Sequence, residues 1–261
     1  MLRPLDLDQV RVRLTTRYMG RRLLYYPETP STMIDADQEA RRGAPEGTVV
    51  VAERQTAGRG RLQRSWLAPP GSSILLSVIL RPKLETIQKV TIAAAVAVAR
   101  TIEAVTGLSA QVKWPNDVLL NGKKVSGILI ESHLTGDKVE SAVVGVGINV
   151  NLELSAVPEI ADIATSLSEE TGRWISREDV LVTFLQQLEE CYDEAITSDR
   201  IRLEWASRLV TIGQQVTATF GNQVEKGIAE GVDEDGALLL RRFDGTLIRV
   251  AAGDVTLRPR P

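Results

Sequence analysis

An α+β fold is predicted for this chain: a mixed, mostly antiparallel sheet flanked by helices, followed by a small β-barrel. Three features of the sequence predict it. Helical segments are interspersed with β-branched runs in no regular βαβ repeat. Asn121-Gly122, set between two such runs, is the strongest short hairpin signal in the chain. Beyond about residue 210 short apolar runs are parted by Gly221-Asn222, Asp235-Gly236 and Asp244-Gly245, which suits a small closed barrel without exposed edges.

Each element follows from local pattern. Residues 5–19 read as a short polar helix and "RRLLYY" as a strand. Ser31 or Thr32 caps a helix that ends near Gly43. "EGTVVVAER" is a strand running straight into a basic loop, and "SSILLSVILRP" is a buried strand. "TIQKVTIAAAVAVARTIEAVTG" is apolar on nearly every face, so it forms a buried helix ending at Gly107. "AQVKW", "DVLLNGKKVSGILIES" and "DKVESAVVGVGINVNL" form a meander, and Ser176 caps the helix "REDVLVTFLQQLEECYDEAI" through a Ser176-to-Asp179 capping-box spacing. "RIRLEWASRL" follows it. Residues 1–209 are expected to form one domain with a short N-terminal extension and residues 210–261 a second. No Gly/Ser linker separates them, so the two pack directly.

Composition narrows the function. The 261 residues are 43% hydrophobic and 25% charged with a formal net charge of −3, and the pI near 5.5 argues against bulk attraction to nucleic acid or membrane. One cysteine, Cys191, and one histidine, His133, leave no disulfide framework and few members for a zinc site or a histidine triad. The charged N-terminus has no signal core, and the longest apolar-rich run is interrupted by Arg100. A cytoplasmic protein is expected. Cys191, His133 and the four tryptophans other than as packing or surface groups receive no catalytic role, with Trp66 the one tryptophan that can cover a ligand.

Four segments carry chemistry. In "TAGRGRLQRSW" (56–66) Arg59, Arg61 and Arg64 supply planar donors matched to phosphate or carboxylate oxygens, and Gly58 and Gly60 let the backbone approach a ligand. A solvated basic turn reads equally well there. In "KWPNDVLL" Lys113 ends a strand, and Asn116 and Asp117 stand just ahead of the hairpin, either as a plain turn pair or as groups beside a metal-held phosphate. In "GKKVSGILIES" Lys124 and Ser126 should share one face of the strand and Val125 the other, and Gly127 marks a close approach to backbone. In "GVGINVN" Gly145 and Gly147 bare one face of a strand for a flat ligand or a close neighbour. No GxxxxGK[ST] loop is present, so P-loop chemistry is excluded.

Taken in order, these segments resemble the catalytic core of biotin protein ligases. The resemblance rests on Pro30-Ser31-Thr32, "QTAGRGRLQRSW" (55–66), "KWPND" (113–117), "KVSGIL" (124–129), "GVGINVN" (145–151) and "ATSLSEETG" (164–172). It spans residues 22–261 and makes the terminal barrel SH3-like. The resemblance implies activation of biotin by ATP to biotinyl-5′-AMP, then transfer to a lysine of a biotin carboxyl carrier domain of a biotin-dependent carboxylase. It implies Mg2+ with ATP, a possible homodimer, and no nucleic-acid or membrane partner.

The resemblance also assigns positions. Ser31, Thr32, Met33 and Gln55 match biotin-binding positions, as do Arg59, Gly60, Arg61, Lys124, Gly127, Gly145 and Gly147. Arg61, Arg64, Trp66, Lys113, Asn116, Asp117, Lys124 and Asn149 match the ATP and adenylate side, with Asp117 the metal candidate. Lys124, with Arg61 and Arg59, is expected to act on the reacting groups, and residues 55–66 to close as a lid. Two departures stand out: Met33 replaces the frequent Asn, and Gln63 replaces a Gly between the second and third arginines.

Two rivals share this core. A lipoate or octanoate transferase working through a covalent intermediate needs a site cysteine, and Cys191 on a late helix is poorly placed. A biotin-responsive repressor would carry a winged helix ahead of the core, and about thirty residues precede Ser31, fewer than the ~50 of a small domain.

Overall fold

Seven strands form the main sheet of the computed structural model, which describes residues 3–221 and 223–257. They are β1 (Leu23–Tyr26), β2 (Val49–Ala52), β3 (Ser73–Leu80), β4 (Gln111–Lys113), β5 (Asp117–Leu120), β6 (Lys123–Thr135) and β7 (Lys138–Asn149). Their order is β1-β2-β3-β7-β6-β5-β4. β1 pairs with β2 in parallel, and the other ladders are antiparallel. The expected meander is β4-β5-β6-β7. Asn121 and Gly122, with φ of 48° and 79°, make the β5–β6 turn, the left-handed pair that a two-residue hairpin requires.

Strand alternation sends β2 into two cores. Val49 and Val51 join the large core with α3 (Ile87–Thr106) and α5 (Arg177–Thr197), whereas Val50 joins a smaller core with α2 (Thr32–Arg41). Helices therefore cover both faces of the sheet. α3 is as buried as its composition predicts, and Gly107, in the left-handed conformation, ends it. Ser176 Oγ accepts from the Asp179 N–H at the start of α5. Two short helices, α4 (Leu167–Thr171) and α6 (Arg200–Ser207), flank α5.

The polar helix expected over 5–19 covers only Leu7–Arg13, α1. Glu189 of α5 accepts the backbone N–H groups of Arg17, Tyr18 and Met19 at 2.8, 2.9 and 3.0 Å. Donors committed to that carboxylate cannot serve a helical ladder, so the chain turns away after Arg13. One smaller expectation also changes: Trp174 is 59% exposed rather than packed. His133 is a surface residue near the end of β6, beside Asp37 and Arg41 of α2.

The C-terminal strands β8 (Gln215–Phe220), β9 (Gln223–Val232), β10 (Leu238–Arg242), β11 (Leu247–Val250) and β12 (Asp254–Leu257) form an antiparallel sheet in the order β11-β10-β9-β8-β12. Gly236 and Gly245 take left-handed φ at the two Asp-Gly turns. Asn222 of the Gly-Asn turn lies outside the described residues, as do residues 1–2 and 258–261. The indole N–H of Trp114 donates to the Gly236 carbonyl at 2.9 Å, so the small sheet packs directly on the large one.

Candidate functional site

The start of α2 makes the first wall of a cavity. Ser31 is its N-cap by backbone geometry, yet its hydroxyl makes no cap bond. Ser31 Oγ is buried without a protein partner, a state that ordinarily costs about 1–3 kcal/mol. Next to it, Gln55 Oε1 accepts from the Thr32 N–H at 2.8 Å and from Thr32 Oγ1 at 3.1 Å. The start of the helix therefore presents a hydroxyl and fixes the Gln55 carboxamide beside it, an arrangement suited to a neutral polar ligand.

The floor is the β6–β7 ladder, where Gly127 pairs with Gly147 and Gly145 with Leu129. A Cβ on Gly145 would stand 2.5 Å from Met33 Sδ, and one on Gly147 would stand 2.5 Å from the Trp66 ring. One on Gly127 would meet both Trp66 and the Lys124 side chain at 2.9–3.0 Å. Bare backbone here is what lets Met33, Trp66 and Lys124 lie against the sheet. Trp66 Nε1 is a second buried polar atom without a partner.

The hairpin supplies an ion pair. Lys124 Nζ lies 2.7 Å from Asp117 Oδ1, and 5.5 Å above the Trp66 ring centroid, within cation–π range. The expectation that Lys124 shares a face with Ser126 is corrected. Pairing shifts between Val118 and Leu119, opposing Leu119 to Lys124 and Val118 to Ser126, so Val125 is the extra residue of a β-bulge. The bulge puts Lys124 on the face of Gly127. Ser126 turns inward instead and donates to the Gly147 carbonyl at 2.7 Å.

The arginine segment crosses the mouth. Arg61–Gln63 form a 3-10 turn in which Leu62 has φ of 54°. Arg61 donates to Asn116 Oδ1 at 2.9 Å and to the Gly253 carbonyl at 2.7 Å. Arg64 pairs with Asp254 at 2.6 Å and Arg59 with Glu131 at 3.3 Å. The counter-charges absent from the segment itself thus come from β6 and β12. Burial pulls Arg61 below its ordinary pKa, while Asp254 and Asp117 oppose that and Arg64 adds to it. It stays a cation at neutral pH.

Every position that the resemblance assigns to biotin or to the adenylate lines one cavity of about 560 Å³, a volume suited to a small molecule, whereas Gly58 and Ser126 stand outside its lining. Lys113, Asn116 and Asp117 enter from the β4–β5 turn. Asn116 Nδ2 is held by the Ile128 carbonyl at 2.6 Å. Asn149 stands at the back, its carboxamide tied to the Thr165 carbonyl at 3.0 Å. Cys191 is buried in α5, away from the lining, and burial pushes its thiol up to about 12.

Besides apolar strand residues such as Leu75 and Ile128, sequence reasoning missed two further groups of lining residues. Ile160, Asp162 and Ile163 are brought in by Lys124, whose N–H donates to the Ile163 carbonyl and whose carbonyl accepts from Thr165. They immediately precede "ATSLSEETG", which was the available signal. Asp254 and Thr256 come from β12; a short strand start after Gly253 carries no such signal.

A neutral polar end, an apolar glycine floor and a cationic end in one cavity can hold an amphipathic acid with its carboxylate at Lys124 and Arg61. Comparison with known proteins agrees. Residues 25–149 match the biotin/lipoate A/B protein ligase family, and residues 211–258 the biotin protein ligase C terminal domain. The bifunctional ligase/repressor BirA of Bacillus subtilis (strain 168) is 40% identical over 96% of this chain and 78% of its own length. The biotin--[acetyl-CoA-carboxylase] ligase of Mycobacterium tuberculosis is 34% identical over 97% of this chain and 95% of its own. The structure of the Aquifex aeolicus biotin protein ligase in complex with biotin and ATP superposes with a TM-score of 0.78 at 32% identity, covering 91% of this chain and 99% of that one.

Proposed function

This chain belongs to the biotin protein ligase family, and from that premise we propose that it activates biotin with ATP and transfers it to a lysine of a biotin carboxyl carrier domain. The observation that carries the reading is the polarity of the cavity. Ser31 Oγ, Thr32 and Gln55 stand at one end, Lys124, Arg61 and Asp117 at the other, and the Gly145–Gly147 strip lies between.

In this reading the ureido ring of biotin satisfies Ser31 Oγ, and its bicycle lies on the glycine floor beside Met33. Its carboxylate then reaches Lys124. A carboxylate oxygen attacks the α-phosphorus of ATP, the bond to the bridging oxygen breaks, and pyrophosphate leaves. The carrier's ε-amine next attacks the acyl carbon and AMP departs. Both steps crowd anions or form an oxyanion, so positioned cations matter more than an acid or base. Lys124 and Arg61 meet that demand, Arg59 and Arg64 extend it, and the 55–66 segment with Trp66 keeps water from the mixed anhydride.

Mg2+ accompanies ATP in this reading. Among the described residues no three His, Cys, Asp or Glu side chains gather to hold a metal. That fits an ion held chiefly by phosphate oxygens, with Asp117 as its protein ligand and neutralised phosphate charge as its contribution. Homodimerisation, the lack of a nucleic-acid partner and a cytoplasmic site of action belong to the same reading; among the described residues, no helix is long and apolar enough to cross a membrane.

The test is biotin-dependent exchange of pyrophosphate into ATP, followed by biotin transfer to a carrier domain. Exchange with biotin and none with lipoate is expected. Exchange with lipoate alone would assign the chain to the other branch of its family, and tight DNA binding at low salt would add the repressor role.

A further inference from the structure

We infer that Asp254, with the Gly253 carbonyl beside it, is a positioning residue for adenylation: the C-terminal sheet holds the arginine segment in its working geometry. The inference rests on the function proposed above and names a residue that reading leaves unused.

Two contacts carry it, from different atoms of one corner. Arg64 pairs with the Asp254 carboxylate at 2.6 Å, and Arg61 donates to the Gly253 carbonyl at 2.7 Å. Arg61 is fixed at a second point by Asn116, so its fork bridges the β4–β5 turn and the small sheet. Asp254 lines the cavity itself, and its carboxylate is only 21% exposed where the Arg64 guanidinium is 69% exposed. The acid is therefore the shielded member of the pair and the arginine the exposed one.

The corner is built to present those acceptors. Gly253 has φ of 151°, and a Cβ there would stand 2.5 Å from the Thr219 carbonyl oxygen of β8. No other residue fits without moving the strand, so the carbonyl and the adjacent carboxylate are held by the β8–β12 ladder, in which Asp254 opposes Thr219. Leu62, between the two anchored arginines, holds a left-handed φ that a non-glycine residue adopts only when its surroundings impose it. Contacts on either side of it keep the turn in place. A carboxylate that holds Arg64 and an adjacent carbonyl that holds Arg61 lower the ordering cost when triphosphate arrives.

The experiment uses the full chain and Asp254→Asn, which keeps the acceptor for the Val255 N–H. The KM for ATP in biotin-dependent pyrophosphate exchange should rise about fivefold, with kcat and the KM for biotin within twofold. Trypsin cleavage after Arg61 and Arg64, without ligands, should quicken by a similar factor, and Asp254→Glu should recover most of both. An unchanged or lower KM for ATP would overturn the inference, the lower value meaning that Asp254 merely competes with phosphate. Arg64→Gln supplies a check that leaves the small sheet untouched: cleavage after Arg61 should quicken, and an unchanged rate contradicts the inference. Absence of biotin-dependent exchange in the unmodified protein would sink the proposed function, while the cleavage readouts would still decide whether Asp254 holds the arginine segment.

Discussion

The ammonium of Lys124 meets the carboxylate of Asp117 at 2.7 Å across the β5–β6 hairpin, and the bulge at Val125 is what turns it there. Without the extra residue, alternation would aim Lys124 away from Gly127 and out of the cavity. The pair fixes the lysine's place in the cavity.

Asp117→Asn keeps the shape and removes the anion. Loss of one charge-assisted hydrogen bond is worth about 1.5–3 kcal/mol, so biotin-dependent pyrophosphate exchange should fall about 10- to 100-fold. Stability to heat should change little. Full exchange activity would show that Lys124 needs no partner.

Gly147→Ala places a methyl 2.5 Å from the Trp66 ring. The indole must move, and the floor of the slot is raised. Biotin affinity measured by calorimetry should drop at least tenfold, with a change in Trp66 fluorescence. Unaltered affinity would mean that biotin does not use this strip.

Cys191 is buried and its thiol is pushed up to about 12 by burial. At neutral pH it carries almost no thiolate. Iodoacetamide should therefore leave the folded protein unmodified and fully active while labelling it in denaturant. An acyl-thioester on Cys191 during turnover would revive the covalent transferase reading.

Glu189 gives a pH signature. Burial alone would raise its pKa, but the N–H groups of Arg17, Tyr18 and Met19 and the Arg17 charge outweigh that and lower it. A depressed carboxyl contributes stability above its unfolded pKa, about 4.3, and that contribution is lost as pH falls through the lower folded value. Glu189→Gln should cost about 1.5–3 kcal/mol at pH 7, and its deficit relative to the natural residue should shrink in denaturant titrations as pH drops below about 4. A deficit independent of pH would rule out this charge as the anchor of residues 17–19.

Much of this was legible where the signal is local. Asn121-Gly122 announces its hairpin, Gly107 its helix end and Ser176 its cap, because each acts on backbone within a few residues. The site residues were legible as ordered motifs, and the fold gathers them in one cavity. What escaped depends on distant partners. The early end of α1 is imposed by Glu189, more than 170 residues on. The bulge at Val125 is a matter of pairing register, which β-propensity does not encode. Asp254 reaches Arg64 across 190 residues from a strand whose sequence is ordinary.

The central claim is that cations from a loop and a bulged hairpin converge on the biotin carboxylate and the α-phosphate. Single-turnover formation of biotinyl-5′-AMP by Lys124→Ala, at saturating biotin and ATP, tests it most directly. Removing a cation aimed at developing charge should slow adenylate formation about 100- to 1,000-fold and leave the fold intact by circular dichroism. A rate within a fewfold of the unmodified protein would contradict the account.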